Sequence, residues 1–136
     1  MKKQSVTLTN GELVNCVNTL NMLLESKPTL GILQGFPLAQ NVRVMQPEAA
    51  EVWQARNGIV EKYTKKGEDG QPLTNGARYV FETPEEEVTA ATEMNDLNAI
   101  QTELSLYRLS FDSFLVFGEQ PHWIWDTLEP IIDLEV

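Results

Sequence analysis

A helix-rich α+β fold, long amphipathic helices packed with a small antiparallel sheet, is predicted by three observations. Apolar residues recur at spacings of three and four over a long stretch, Pro47 to Lys66. Two Thr-x-x-Glu signals, Thr9 to Glu12 and Thr83 to Glu86, stand ahead of further helical runs. Short alternating or β-branched segments, residues 4–9 and 78–81, are bounded by turn-forming residues. A chain of 136 residues is the size of one ordinary domain, so a single globular domain, 1–136, is expected.

Residues 4–9, QSVTLT, alternate well enough for a short strand or an extended lead-in. Thr9 and Glu12 then form a capping box, each side chain satisfying a backbone donor of the first helical turn. The helix that follows buries Leu13, Val17, Leu20 and Leu24, with Val14, Cys16 and Leu23 widening the stripe, and ends near Ser26, ahead of Pro28. Residues 27–37 hold two prolines and two glycines, which reads as a connection packed on the core.

From Leu38, the positions Leu38, Val42, Met45 and Ala49 run in phase with the Pro47–Lys66 stripe of Ala49, Val52, Trp53, Ile59, Val60 and Tyr63. Two helical pieces meeting at Gln46–Pro47 are expected, because proline suits a first helical turn better than an interior. Trp53 is expected in the core. Residues 65–78 are dense in Gly, Pro, Asp and Asn and form a turn-rich loop, and Arg78 to Phe81 a short strand.

Thr83 caps a helix that continues to about Asn98, with Pro84 at its first position and Glu85, Glu86 and Glu87 where the helix dipole favours carboxylates. Residues 102–111 fit a strand, through Leu104 and Leu106, and equally a helix, through Leu97, Ile100, Leu104, Tyr107 and Phe111. Phe114 to Phe117 is a short apolar run broken by Gly118 to Pro121. A short helix from Pro121 to about Glu129 should lay its tryptophans on the core, with Pro130 ending it and Ile131, Ile132 and Leu134 docking the tail.

Charge is uneven. Residues 1–81 carry 9 Lys and Arg against 7 Asp and Glu, whereas residues 82–136 carry only Arg108 against 13 Asp and Glu, within a net charge of −10. So acidic a second half repels phosphate backbones and attracts basic partners, so direct nucleic-acid binding is not expected; the competing reading is that the acidity merely keeps a small protein soluble. The sequence has no run of 18 apolar residues and its N-terminus lacks the apolar region of a secretory signal, so a soluble, unexported protein without membrane association is expected.

One His and one Cys exclude the common zinc patterns. Glu85, Glu86 and Glu87 with Glu82 could offer oxygen ligands, yet consecutive helical residues diverge by about 100° and do not converge on an ion. Cys16 sits on an apolar stripe as a small hydrophobe, and no GxGxxG or GxxxxGK[ST] loop exists. His122, beside two tryptophans, reads as a packed or partner-facing ring. No catalytic residue, cofactor or metal is assigned, and an enzyme is not expected.

Trp123 and Trp125 share a face in a strand but diverge on a helix, so one of them can face outward while the other packs. An exposed Trp ringed by Glu119, Asp126 and Glu129 would suit a contact with a basic partner. The partner-binding candidates are therefore Trp123, Trp125, Asp126, Glu129, Glu85, Glu86 and Glu87; burial of both tryptophans is the competing reading.

The order of signals also carries a resemblance. Asn10 to Leu13, the Trp-x-Ala-Arg-Asn run at Trp53 leading to Glu61-Lys62-Tyr63, the Gly67 to Gly70 turn, the acidic helix and Glu103-Leu104-Ser105-Leu106 resemble small uncharacterised proteins of tailed bacteriophages over residues 9–110. The resemblance implies a viral origin, a place in the bacterial host cytoplasm or the virion, and a helical hairpin beside a small sheet; it implies no catalytic residue.

The reading that follows is a non-enzymatic protein acting by protein–protein contact with itself or with a host or virion protein, as a homo-oligomer or part of a larger assembly. Two alternatives stand beside it. One is an inhibitor whose acidic second half imitates nucleic acid. The other is a small-ligand binder, or minor enzyme, with a pocket between the long helix and residues 102–111.

Overall fold

The computed structural model describes residues 2–27 and 29–134, whose elements in chain order are β1 (Lys3–Thr9), α1 (Asn10–Ser26), α2 (Ile32–Tyr63), β2 (Thr74–Asn75), β3 (Arg78–Tyr79), α3 (Pro84–Ala99), β4 (Gln101–Tyr107), β5 (Leu109–Ser110), α4 (Phe111–Phe114), α5 (His122–Leu128) and β6 (Ile132–Asp133). The fold is helix-rich α+β with small sheets. Contacts group the residues into two compact units, Met1–Ala49 with Gln101–Val136, and Ala50–Ile100.

In the first unit, β1 pairs antiparallel with β4 from Lys3 opposite Tyr107 to Thr9 opposite Gln101. Alternation sets the faces: Val6, Leu8 and Leu106 are buried while Ser5, Thr7, Glu103 and Ser105 are exposed, and the Ser5 hydroxyl donates to the Glu103 carboxylate across the outer face. The strand reading of residues 102–111 thus holds to Tyr107 and again at Leu109–Ser110, with Phe111 already in α4. Between the two strands the pleat breaks at Arg108, which lets Leu106 and Leu109 both be buried three residues apart and accounts for the shift of phase seen in the sequence.

Thr9 ends β1 and caps α1. Its Oγ1 accepts from Glu12 N at 3.1 Å and its own N–H donates to Glu12 Oε1 at 2.9 Å, the reciprocal box that the sequence announces. The helix buries Leu13, Val14, Cys16, Val17, Leu20 and Leu23. Pro28, expected to follow its end, lies outside the described residues.

Residues 32–63 differ from expectation in two ways. What reads as a connection from Ile32 to Pro37 is already helix, and Pro47 joins no two pieces but lies, like Pro37, within one continuous α2. Each proline forfeits a backbone bond. Leu38, Met45, Ala49 and Val52 nevertheless form one buried stripe across Pro47, and burying such side chains, at about 1.5–3 kcal/mol each for the larger ones, outweighs what one interior proline costs.

Asn41, on the same helix and 1% exposed, aims its carboxamide at the outer edge of β4. Its Nδ2 donates to Tyr107 O and its Oδ1 accepts from Tyr107 N, both at 2.8 Å, so one side chain stands in for a neighbouring strand.

The C-terminal part wraps back on this unit. After α4 a 3-10 turn, Leu115–Phe117, ends at Gly118 with φ +75. Helix α5 buries Ile124 and Leu128, a second 3-10 turn spans Glu129–Ile131, and β6 lies parallel to β5. Ile131 and Ile132 are docked as expected, while Leu134 is 70% exposed.

The second unit holds the rest of α2, a hairpin and α3. Strands β2 and β3 are joined through Gly76 and Ala77, with Gly76 at φ +66, as a two-residue hairpin loop requires. Thr83 Oγ1 accepts from Glu86 N at 3.1 Å, capping α3, and Pro84 takes the first turn. Tyr63 Oη donates to Glu93 at 2.6 Å, and Arg56 donates to Asn98 Oδ1 from Nε and Nη2 at 3.1 and 2.7 Å. Lys62 stands 3.7 Å from Glu93, and its pKa is raised, first by Tyr63 and then by Glu93. Trp53, expected in the core, is 45% exposed with the Arg56 guanidinium 5.1 Å from its ring centre, because the inward stripe narrows to Val52 and the half-buried Arg56, Ile59, Val60 and Tyr63.

Candidate functional site

The orientation of α5 decides what its two tryptophans do. Ile124 and Leu128, four residues apart, face the core, which turns Trp123 outward, 53% exposed, and leaves Trp125 half-buried. The Trp125 ring meets Phe111 edge-on at 5.4 Å and Phe114 at 6.3 Å, so its apolar area is largely spent inside the fold. His122 is exposed and sits 3.6 Å from Asp126 one turn on, both well solvated, a contact of little energetic weight.

Trp123 and Met22 of α1, the latter 42% exposed, both border a shallow groove of about 420 Å³ with Asn15, Asn18, Thr19 and Thr127. Asn15 and Thr127 also line a second groove, of about 490 Å³. This one runs along β1 at Ser5 to Thr7 and is bounded by Glu12, Arg108, Asp126, Glu129 and Pro130. The two grooves therefore form one continuous surface over α1 and α5, apolar at the Trp123 end and acidic at the other. Arg108 is its cation, and one of its Nη2 donors is engaged by Ile132 O at 2.8 Å.

Three of the residues singled out from sequence, Trp123, Asp126 and Glu129, come together on this surface, whereas Trp125 lines a separate depression of about 290 Å³ with Phe111, Asp126, Glu129, Ile132 and Leu134. Glu85, Glu86 and Glu87 belong to the other unit, in the first turn of α3, where Glu85 and Glu87 are exposed and Glu86 is half-buried. Periodicity missed Met22, Asn15 and Glu12 as surface partners. A signal existed for Met22: it is an apolar residue out of phase with the Leu13, Val17, Leu20 stripe.

A separate apolar depression of about 470 Å³ lies between the start of α2 and the end of β4, lined by Ile32, Leu33, Phe36, Pro37 and Tyr107. Phe36 tilts against Tyr107 at 6.4 Å, and the Lys3 ammonium lies 5.5 Å from the centre of the Tyr107 ring. Among the described residues, no three of His, Cys, Asp and Glu are gathered to hold a metal ion, and no helix is long and apolar enough to cross a membrane. Cys16 is fully buried, its thiol pushed up to about 12 by that burial and then by Glu12.

No family model, curated protein or solved structure matches the chain.

Proposed function

We propose that this protein works by protein–protein contact rather than by catalysis, and that the surface over α1 and α5 is where its partner sits. The observation that carries this reading is the exposed pair Trp123 and Met22, continuous through Asn15 and Thr127 with the carboxylates of Glu12, Asp126 and Glu129. A half-exposed Trp supplies large, stiff contact area, and a rim of carboxylates steers and orients a basic partner. The setting we propose follows the resemblance of residues 9–110: a phage-encoded chain, in the host cytoplasm or the virion, that meets itself or a host or virion protein as part of an assembly.

Sedimentation of the pure chain and its affinity capture from infected-cell lysate, each with wild type and with Trp123→Ala combined with Met22→Ser, test the reading. The expected outcome is an oligomer or captured partner that the double substitution weakens by at least about tenfold, the cost of one lost hot spot. A strict monomer that captures nothing, or a partner indifferent to both substitutions, would overturn it.

The depression at Ile32, Phe36 and Tyr107 favours a second reading, a small apolar ligand held between the long helix and β4. A ligand bound there must raise the unfolding midpoint in a thermal-shift screen, and Phe36→Ala must remove the rise.

A further inference from the structure

We infer that the acidic groove receives an extended basic segment of the partner, which adds as a strand to the free edge of β1; this rests on the contact reading above and names its mode. Hydrogen-bond parity carries the first step. Tyr107 gives both its backbone groups to Asn41, so the Lys3–Tyr107 pair exchanges none across the ribbon. Antiparallel pairs alternate, so the ladder bonds fall at Gln4, Val6 and Leu8, and the N–H and C=O groups of Ser5 and Thr7 point away from β4. Thr9 agrees with this parity, its N–H being turned outward to Glu12.

On that outer edge Ser5 and Thr7 carry no backbone partner among the described residues, and both line the groove. Two residues with both groups free are what an incoming strand pairs with, and at about 3.4 Å per residue Ser5 to Thr7 spans a three-residue segment. Charge identifies the segment. Side chains of an added strand that point the same way as Val6 would enter the groove toward Glu12, Asp126 and Glu129, with Arg108 as the single opposing charge. The occupant is therefore a strand with Lys or Arg at alternate positions and small polar residues between them.

The test uses the full chain and a fluorescent acetyl-(Lys-Thr)4 amide, read by anisotropy. In an antiparallel addition the Thr residues lie opposite Ser5 and Thr7, so N-methylation of the Thr series blocks pairing while N-methylation of the Lys series faces solvent. The expected result is binding of the parent peptide and a difference of at least about tenfold between the two methylated series, one good hydrogen bond or more. Thr7→Pro removes an outward donor and no ladder bond, and should weaken the parent peptide by a similar factor.

Should Thr7→Pro unfold the chain, Asp126→Asn with Glu129→Gln provides the second variant, expected to weaken binding several-fold and flatten its salt dependence. Equal affinity for the two methylated series, or no binding of the parent, overturns strand addition. The contact reading fails separately, where Trp123→Ala with Met22→Ser leaves partner capture intact whatever the peptide does.

Discussion

Asn41 is the most consequential single side chain that periodicity does not reveal. A buried carboxamide on an otherwise apolar helical face reads as a defect until its two bonds to Tyr107 are seen. Asn41→Leu would strand a donor and an acceptor of Tyr107 away from water, and a loss of about 2–4 kcal/mol in urea unfolding is expected. Asn41→Asp keeps the acceptor but sets a carboxylate against the Tyr107 carbonyl, and should cost at least as much; a loss under about 1 kcal/mol in both would mean that the pairing is not made in solution.

Cys16 offers a pH signature. Its native thiol is pushed up to about 12 from an ordinary value of 9.0, so the unfolded chain gives up the proton first as pH rises. The stability contribution is complete below pH 9 and falls by about 1.4 kcal/mol per unit as pH climbs toward 12. The difference between wild type and Cys16→Ala, measured by urea unfolding at pH 7, 9 and 10, isolates this slope from the lysines and tyrosines that titrate nearby.

Helix α2 shows where local rules and packing part company. Proline at position 47 argues for a new start, yet the stripe of Leu38, Met45, Ala49 and Val52 carries the helix through it. Pro47→Ala should therefore stabilise the chain by about 1–2 kcal/mol, the interior proline penalty less the entropy that Pro removes from the unfolded state. A neutral or destabilising result would favour two helical pieces instead.

The elements whose signals are local were legible in the sequence. Thr9 with Glu12 marked the start of α1 and Thr83 with Pro84 the start of α3, because a cap needs nothing beyond its own residues, whereas the β2–β3 hairpin was read only as a turn-rich loop leading to a short strand. What was not legible depended on partners far along the chain. Residues 102–107 become a strand because β1 and Asn41, distant in sequence, supply their hydrogen bonds. Of the site, helical geometry allowed one of Trp123 and Trp125 to face outward beside Asp126 and Glu129, whereas the choice of Trp123, and with it Met22 and the β1 edge, needed the packing of α1 against α5 and the strand parity.

The two compact units differ in what holds them. Among the described residues, the fully buried large side chains, Leu8, Leu13, Leu20, Leu23, Leu38, Met45, Leu106, Leu109, Phe114, Ile124, Leu128 and Ile131, all lie in the unit that contains both termini. Residues 50–100 bury only Val52, Thr64 and Ala90 to a comparable class and rely on polar clasps, Arg56 to Asn98 and Tyr63 to Glu93. A unit with so little apolar burial opens at a lower free energy than one with a full core. Native-state hydrogen exchange should accordingly show α3 amides opening below the global unfolding free energy while α1 amides report the global value.

Asn98→Ala sharpens the expectation, because it removes two bonds to a charged donor, about 1.5–3 kcal/mol for a bond of that kind when half-buried. Protection in α3 should fall by that amount with α1 protection unchanged. Because α2 runs unbroken through Ala49 and Ala50, its amides from Val52 onward should follow α3, and those from Leu38 to Met45 should follow α1. An equal loss of protection in α1 and α3 would show instead that the chain opens as one cooperative body, with helix α2 transmitting the full coupling between its two halves.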